Sequence, residues 1–259
     1  MTVHPLAEPL LSEGDAASPR GRIGVLLSHG FTGSPASVKP WGEYLAGQGY
    51  AVSVPRLPGH GTTWQELNTT TWADWTGEIE RAFEALASQV ETVFVFGLSM
   101  GGGLALRLAA DHPGRVDGLV LVNPAVGTDR KDVKLLPVLK RVIPSLPGIA
   151  NDIKKPGVEE HGYTRTPLRA ADSMFTGFKA LCSDLGRVTC PVLIYRSTVD
   201  HVVDPSSARV ILALVGSTDA REESLEHSYH VATLDNDSER IFEGSAAFIE
   251  RVAAASDGG

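Results

Sequence analysis

The chain has 259 residues and a formal net charge of −8. That length suits one large domain, or a domain carrying a sizeable insertion, with enough chain to bury a real core. The negative charge argues against nucleic acid and anionic membrane surfaces as partners, and two cysteines, Cys182 and Cys190, are too few for a disulfide framework.

In chain order, residues 13–21 form a Gly/Ser/Pro-rich turn. Residues 23–28 (Ile-Gly-Val-Leu-Leu-Ser) predict a buried strand running into His29-Gly30-Phe31-Thr32-Gly33. A helix follows to about Ala46, then a strand at 49–55 and a loop, Arg56-Leu57-Pro58-Gly59-His60-Gly61. Residues 71–88 predict a helix, with Trp72, Trp75, Ile79, Phe83 and Leu86 at helical spacing on a core-facing side. A strand at 91–96 enters Gly97-Leu98-Ser99-Met100-Gly101, and a Leu/Ala-rich helix leaves it, ending at Asp111-His112-Pro113-Gly114. Gly118 to Val122 is the next strand. The alternation then breaks between about Pro124 and Arg187. Residues 134–149 mix apolar and basic side chains with three prolines, 154–167 are loop-like, and 172–185 predict a helix. A strand at 190–196 restores the pattern, followed by helices from about Ser206 and Ser238 around a weak strand at 221–226.

Alternating strands and helices predict an α/β fold, a mostly parallel sheet flanked by helices with right-handed crossovers. Residues 1–123 and 188–259 make the core. Residues 124–187 insert after a strand's C-terminal end, where they would lie as a cap over the edge at which such sheets bind ligands.

Gly97-Leu98-Ser99-Met100-Gly101 has the G-x-S-x-G form of a nucleophile elbow, in the strand–turn–helix context the motif requires. The helix start points free N–H groups and a positive dipole end at Ser99, where negative charge develops in acyl transfer. A serine needs a base, and the base an orienting acid. Asp200, just past the strand at 190–196, is favoured as the acid over Asp204, since Asp204-Pro205-Ser206 reads as a helix start. Eight histidines compete for the base, and His230, after the last strand, is favoured over His227. His29 and His60 are expected to hold their loops by hydrogen bonds. His112 with Asp117 matches an H-x-x-x-x-D acyltransferase pattern, read as chance because Asp117 opens a strand. The oxyanion donors are expected to be the Met100 and Phe31 N–H groups. No histidine or acid pair has metal-ligand spacing and no phosphate loop is present, so no metal or cofactor is expected. The N-terminal residues lack a basic region and a long apolar stretch, and no run approaches the roughly 20 apolar residues of a membrane span, so a cytoplasmic setting is expected.

From about Ile23 to Val252, the chain resembles the α/β-hydrolase family, and within it the bacterial carboxylesterases and monoacylglycerol lipases. His29-Gly30-Phe31-Thr32-Gly33-Ser34-Pro35 resembles their oxyanion loop, and Leu57-Pro58-Gly59-His60-Gly61 the loop after the next strand. Asp200-His201-Val202-Val203 and Ser228-Tyr229-His230-Val231-Ala232-Thr233-Leu234-Asp235 resemble their acid and base segments. The resemblance implies cleavage of glycerol monoesters, or of a broader range of short- to medium-chain esters, under a small apolar cap. In this family a glutamate faces the glycerol end of the substrate, and Glu160 is the matching position. The sequence departs from the pattern at Gly103, a third glycine after the elbow, and at His161, where an apolar residue is expected. Rival readings are an acyltransferase and a non-catalytic binding module. The exposed apolar residues expected on the cap suit a homodimer contact or a transient contact with a lipid surface.

Overall fold

The computed structural model describes residues 3–256. Nine strands are present among them: β1 (Leu10–Ser12), β2 (Ile23–Ser28), β3 (Ala51–Val54), β4 (Thr92–Leu98), β5 (Gly118–Val122), β6 (Ser145–Pro147), β7 (Arg165–Pro167), β8 (Val192–Ser197) and β9 (Ala220–Leu225). The helices are α1 (Lys39–Gly47), α2 (Trp64–Leu67), α3 (Trp72–Ala87), α4 (Met100–Asp111), α5 (Leu136–Leu139), α6 (Leu168–Asp184), α7 (Ser206–Leu214) and α8 (Ser238–Ser256). Seven strands form one sheet in the order β1-β3-β2-β4-β5-β8-β9, parallel except for β1, and β6 and β7 pair as a small antiparallel ribbon. The expected α/β sheet is therefore present.

Strands β2, β4, β5 and β8 are continuous apolar runs because both of their faces are covered. One face packs under Trp75, Ile79 and Phe83 of α3, Leu104 and Leu108 of α4, and Phe178 and Leu181 of α6. The other packs against Trp41 and Leu45 of α1 and Ile241, Phe248 and Ile249 of α8. Helix α3 starts where it does because the Asp74 carboxylate accepts from the Thr71 N–H at 2.8 Å and the Thr71 hydroxyl at 2.7 Å, closing its first turn.

The strand order reverses between β2 and β4. Chain leaving β2 crosses to β3 on one side, and the later strands of the sheet, β5, β8 and β9, lie on the other side of β4. That switch point puts the loop after β2 beside the loop after β4, a crevice at the strands' C-terminal ends. Between β5 and β8 lie α5, the β6–β7 ribbon and α6. Helix α6 serves two environments: Leu168, Ala171 and Phe175 face α5, while Phe178 and Leu181 belong to the main core. It begins at Leu168, earlier than residue 172, because Pro167 adopts an extended conformation and sits at its N-terminal boundary. Strand β1 and the single turn α2 were not read from the sequence. No helix among the described residues is long and apolar enough to cross a membrane.

Candidate active site

Ser99 stands between the end of β4 and the start of α4 with φ 57° and ψ −121°, a region that costs a non-glycine residue about 1–3 kcal/mol. Two glycines make the turn possible. A Cβ at Gly97 would lie 2.3 Å from the Gly101 carbonyl carbon, and one at Gly101 would lie 2.1 Å from the Ser28 carbonyl oxygen. The turn is further fixed by Ser99 N–H donating to the Val122 carbonyl at 2.9 Å, and by the Ser99 carbonyl accepting from Ala125 N–H at 3.0 Å. Ser99 is only 8% exposed, and its side chain lines a cavity of about 310 Å³.

His230 lies on the loop after β9, lines the same cavity and is 6% exposed. Its Nδ1 is 2.8 Å from Asp200 Oδ2. Asp200 Oδ1 accepts from the N–H groups of Val202 and Val203, each at 2.8 Å, so the whole carboxylate is fixed. Burial alone would depress the His230 pKa. The hydrogen bond and charge of Asp200, with the charges of Glu160 and Asp152, outweigh it and the net direction is up. For Asp200, burial would raise the pKa, but the His230 contact and the two N–H donors win and the net direction is down. The pair thus favours a carboxylate beside a histidine that is basic when the reaction demands it. Among the described residues, Ser99 Oγ has no hydrogen-bond partner.

Phe31 and Met100 both line the cavity with Ser99, and the N–H of neither donates to the protein among the described residues. Glu160 also lines the cavity. A Cβ at Gly33 would lie 2.6 Å from Glu160 Oε1, so glycine there leaves the carboxylate its place. That carboxylate has no hydrogen-bond donor among the described residues. Burial raises its pKa, partly offset by the charge of His230. His161 points elsewhere: at φ 57° it turns outward and stacks on His4, with ring centroids 5.4 Å apart. Its polarity therefore leaves the cavity unaffected.

The competing candidates are engaged elsewhere. The Asp204 carboxylate accepts from Ser206 N–H at 2.9 Å, the Ser206 hydroxyl, Thr128 Oγ1 at 3.1 Å and Asp129 N–H at 3.2 Å. His227 is exposed, and its N–H donates to Asp237. His29 holds its loop: Nε2 accepts from Leu57 N–H at 3.2 Å, and Nδ1 is 3.0 Å from the Gly30 carbonyl. Burial lowers the His29 pKa to about 4 and drives that of His60 well below the ordinary value. His112 pairs with Glu80 at 2.8 Å, while Asp117 accepts from Val93 N–H at 2.7 Å, so the two do not act together. Glu80, Glu84 and His112 have ligating atoms within 4.8 Å of one another, yet Glu84 is held by Arg115 and Glu80 by His112. They read as an ion-pair network. Cys182 and Cys190 are free thiols.

Three polar residues that brace the site were missed from the sequence. Asn123 (φ 43°) follows β5; its Nδ2 donates to the His230 carbonyl at 2.8 Å and to Ser197 Oγ at 2.9 Å. Asp235, fully buried, accepts from the N–H groups of Lys154 at 2.6 Å, Lys155 at 2.9 Å and Tyr229 at 2.9 Å. Asp152 accepts from the His230 N–H at 3.1 Å. Asp235 lay within the quoted base segment, but nothing in its spacing marked its partners.

Sheet order, elbow turn and strand-end loops define an α/β-hydrolase. The model of the family described as serine aminopeptidase, S33, matches residues 19–237, and the chain belongs to that family. It is similar to the thermostable monoacylglycerol lipase of Bacillus sp. (strain H-257), 39% identical over 254 residues, 95% of this chain and 96% of that one. It is also similar to a carboxylesterase of Bacillus subtilis (strain 168), 27% identical over 235 residues, 90% of this chain and 94% of that one. Among solved structures, one from work on the metagenome-derived lipolytic enzymes LipS and LipT superposes with a TM-score of 0.91 at 44% identity, covering 96% of this chain and 100% of that one. The Paleococcus ferrophilus monoacylglycerol lipase shares the fold at 21% identity and a TM-score of 0.75, covering 98% and 99% of the two chains.

Proposed function

We propose that this chain is a carboxylic ester hydrolase that cleaves monoacylglycerols, with Ser99 as nucleophile, His230 as general base and acid, and Asp200 as the group that orients the imidazole. The observation that carries this reading is the placement of Ser99 and His230 on one largely apolar cavity, with Asp200 bonded to the far side of the imidazole. Ser99 Oγ attacks the ester carbonyl while His230 takes its proton. The tetrahedral oxyanion is held by the Phe31 and Met100 N–H groups, and His230 returns the proton to the departing alcohol. Water, activated by the same imidazole, then releases the fatty acid.

In this reading, residues 124–187 act as a cap over a core of 1–123 and 188–259. Leu136, Leu139, Leu146, Met174 and Phe175 give the cavity apolar lining, and Glu160 lines it too, an acceptor without a donor among the described residues. A glycerol head group, with two free hydroxyls, suits that acceptor. Leu135, Val138 and Val142 lie exposed on the cap, Val142 at 76%, and would meet a lipid surface or a second chain. A cytoplasmic setting fits the two free thiols. The carboxylesterase relative supports a second reading, broad action on short-chain esters. Hydrolysis rates across acyl length and alcohol head group separate the two. Glu160→Ala should lower monoacylglycerol turnover selectively, and an equal loss on esters of simple alcohols would remove the glycerol assignment.

A further inference from the structure

One carboxylate outside the Ser99–His230–Asp200 set touches both of the loops that carry its acid and base. Asp152 lies on the segment between β6 and β7 and its side chain is only 9% exposed. Its Oδ2 accepts from the His230 N–H and from the His201 N–H, each at 3.1 Å. Its Oδ1 is 2.7 Å from His201 Nδ1, and its carbonyl accepts from the Val231 N–H at 3.1 Å. His201 directly follows Asp200. Asp152 therefore grips the base residue itself and the residue next to the acid.

We propose that Asp152 is a positioning residue that staples the acid-bearing loop to the base-bearing loop and so sets His230 against Asp200. Its own seat is firm. Gly148 N–H donates to the Thr164 carbonyl at 3.0 Å, closing the ends of the segment. The buried Asp235 carboxylate holds the N–H groups of Lys154 and Lys155 immediately after it. At its far end Tyr163 N–H donates to the Thr32 carbonyl at 2.9 Å, next to the Phe31 N–H assigned to the oxyanion. One segment thus spans from the base loop to the oxyanion loop, and its seating governs both.

Asp152 also acts through charge. The charged groups that face His230 are Asp200, Glu160 and Asp152, and all three favour the imidazolium. The imidazole of His201 faces Asp152 from the exposed side. Removing the Asp152 charge should therefore make the His230 imidazole less basic, both directly and through any loosening of the Asp200 contact, whereas a purely structural defect elsewhere would leave its basicity unchanged.

The proposal rests on His230 being the base. The experiment compares wild type with Asp152→Asn, Asp152→Glu and Asp152→Ala on a soluble short-chain ester, measuring kcat and KM across pH, with thermal unfolding to confirm a folded protein. Loosening an imidazole by a fraction of an ångström to 1 Å predicts roughly a tenfold to hundredfold loss of kcat in Asp152→Asn, with KM within about threefold. The acid limb of kcat/KM should move to lower pH in Asp152→Asn and stay in place in Asp152→Glu. Asp152→Asn with kcat within about twofold of wild type, or with a loss that leaves the limb unmoved, overturns the proposal. Turnover that survives His230→Ala would instead overturn the reading on which it rests, so the two failures are distinguishable. If Asp152→Ala does not fold, the Asn and Glu variants still decide the question.

Discussion

Gly101→Ala puts the elbow's geometry to a quantitative test. The added Cβ would stand 2.1 Å from the Ser28 carbonyl oxygen and 2.7 Å from that of His29, where real Cβ contacts essentially never fall below 3.0 Å. Both neighbours are main-chain atoms of the strand β2 exit, so no side chain can swing aside. The start of α4 must back away from β2 by close to 1 Å, and it carries the Met100 N–H and Ser99 with it. Misplacement on the order of 1 Å costs about a hundredfold in rate, or about 2.7 kcal/mol of transition-state stabilisation. The overpacking itself should destabilise the fold by about 1–3 kcal/mol, a fall in Tm of roughly 2–12 °C for a chain of this size. Gly77→Ala is the matched control: Gly77 is exposed in the middle of α3, with nothing within 4 Å of an added Cβ. It should leave the rate unchanged and add up to about 1 kcal/mol of stability. The assay is kcat/KM on a soluble ester with Tm by calorimetry, for both variants. Gly101→Ala within about twofold of wild-type kcat/KM would refute the claim that this contact fixes the nucleophile.

Asp200→Asn should lower kcat by about 10³–10⁴-fold with little change in KM, measured by steady-state kinetics, because the amide no longer selects the tautomer that accepts from serine. In wild type, the acid limb of kcat/KM should lie above the ordinary histidine value, since the His230 pKa is raised and the base must be neutral to act; the pH–rate profile reads this directly. Stability should fall as pH drops from about 6.5 to about 4, because His29 and His60 stay neutral when folded and bind protons on unfolding; denaturant titration across that range checks the sign. Val142→Asp should weaken partitioning onto zwitterionic vesicles by about tenfold while leaving hydrolysis of a soluble ester unchanged, as measured by vesicle sedimentation.

The buried strands and the elbow were legible because their signals are local. Apolar runs of four to seven residues end in loops that carry chemistry, and Gly97 and Gly101 flank a serine whose backbone only they permit. The pairing of His230 with Asp200 was foreshadowed by position, one after the last strand and one after the strand that follows the break. Strand β1 was not, since its three residues have no pattern of their own and owe their strand form to pairing with β3. Asp152 and Asn123 were not, because their partners lie from 49 to 107 positions away and nothing near them in sequence announces the contact. The same holds for His161: its outward turn goes with a positive φ and a stack on His4, near the start of the chain.

Turnover combined with covalent labelling reads out whether Ser99 forms the acyl-enzyme. Wild type should hydrolyse a 1-monoacylglycerol and take up one equivalent of a serine-directed phosphonate, with the mass increase located by peptide mapping on the segment containing Ser99. Ser99→Ala should fold with nearly unchanged Tm, take up no label and lose turnover almost completely. Normal hydrolysis by Ser99→Ala, or a label on another residue, would contradict the account.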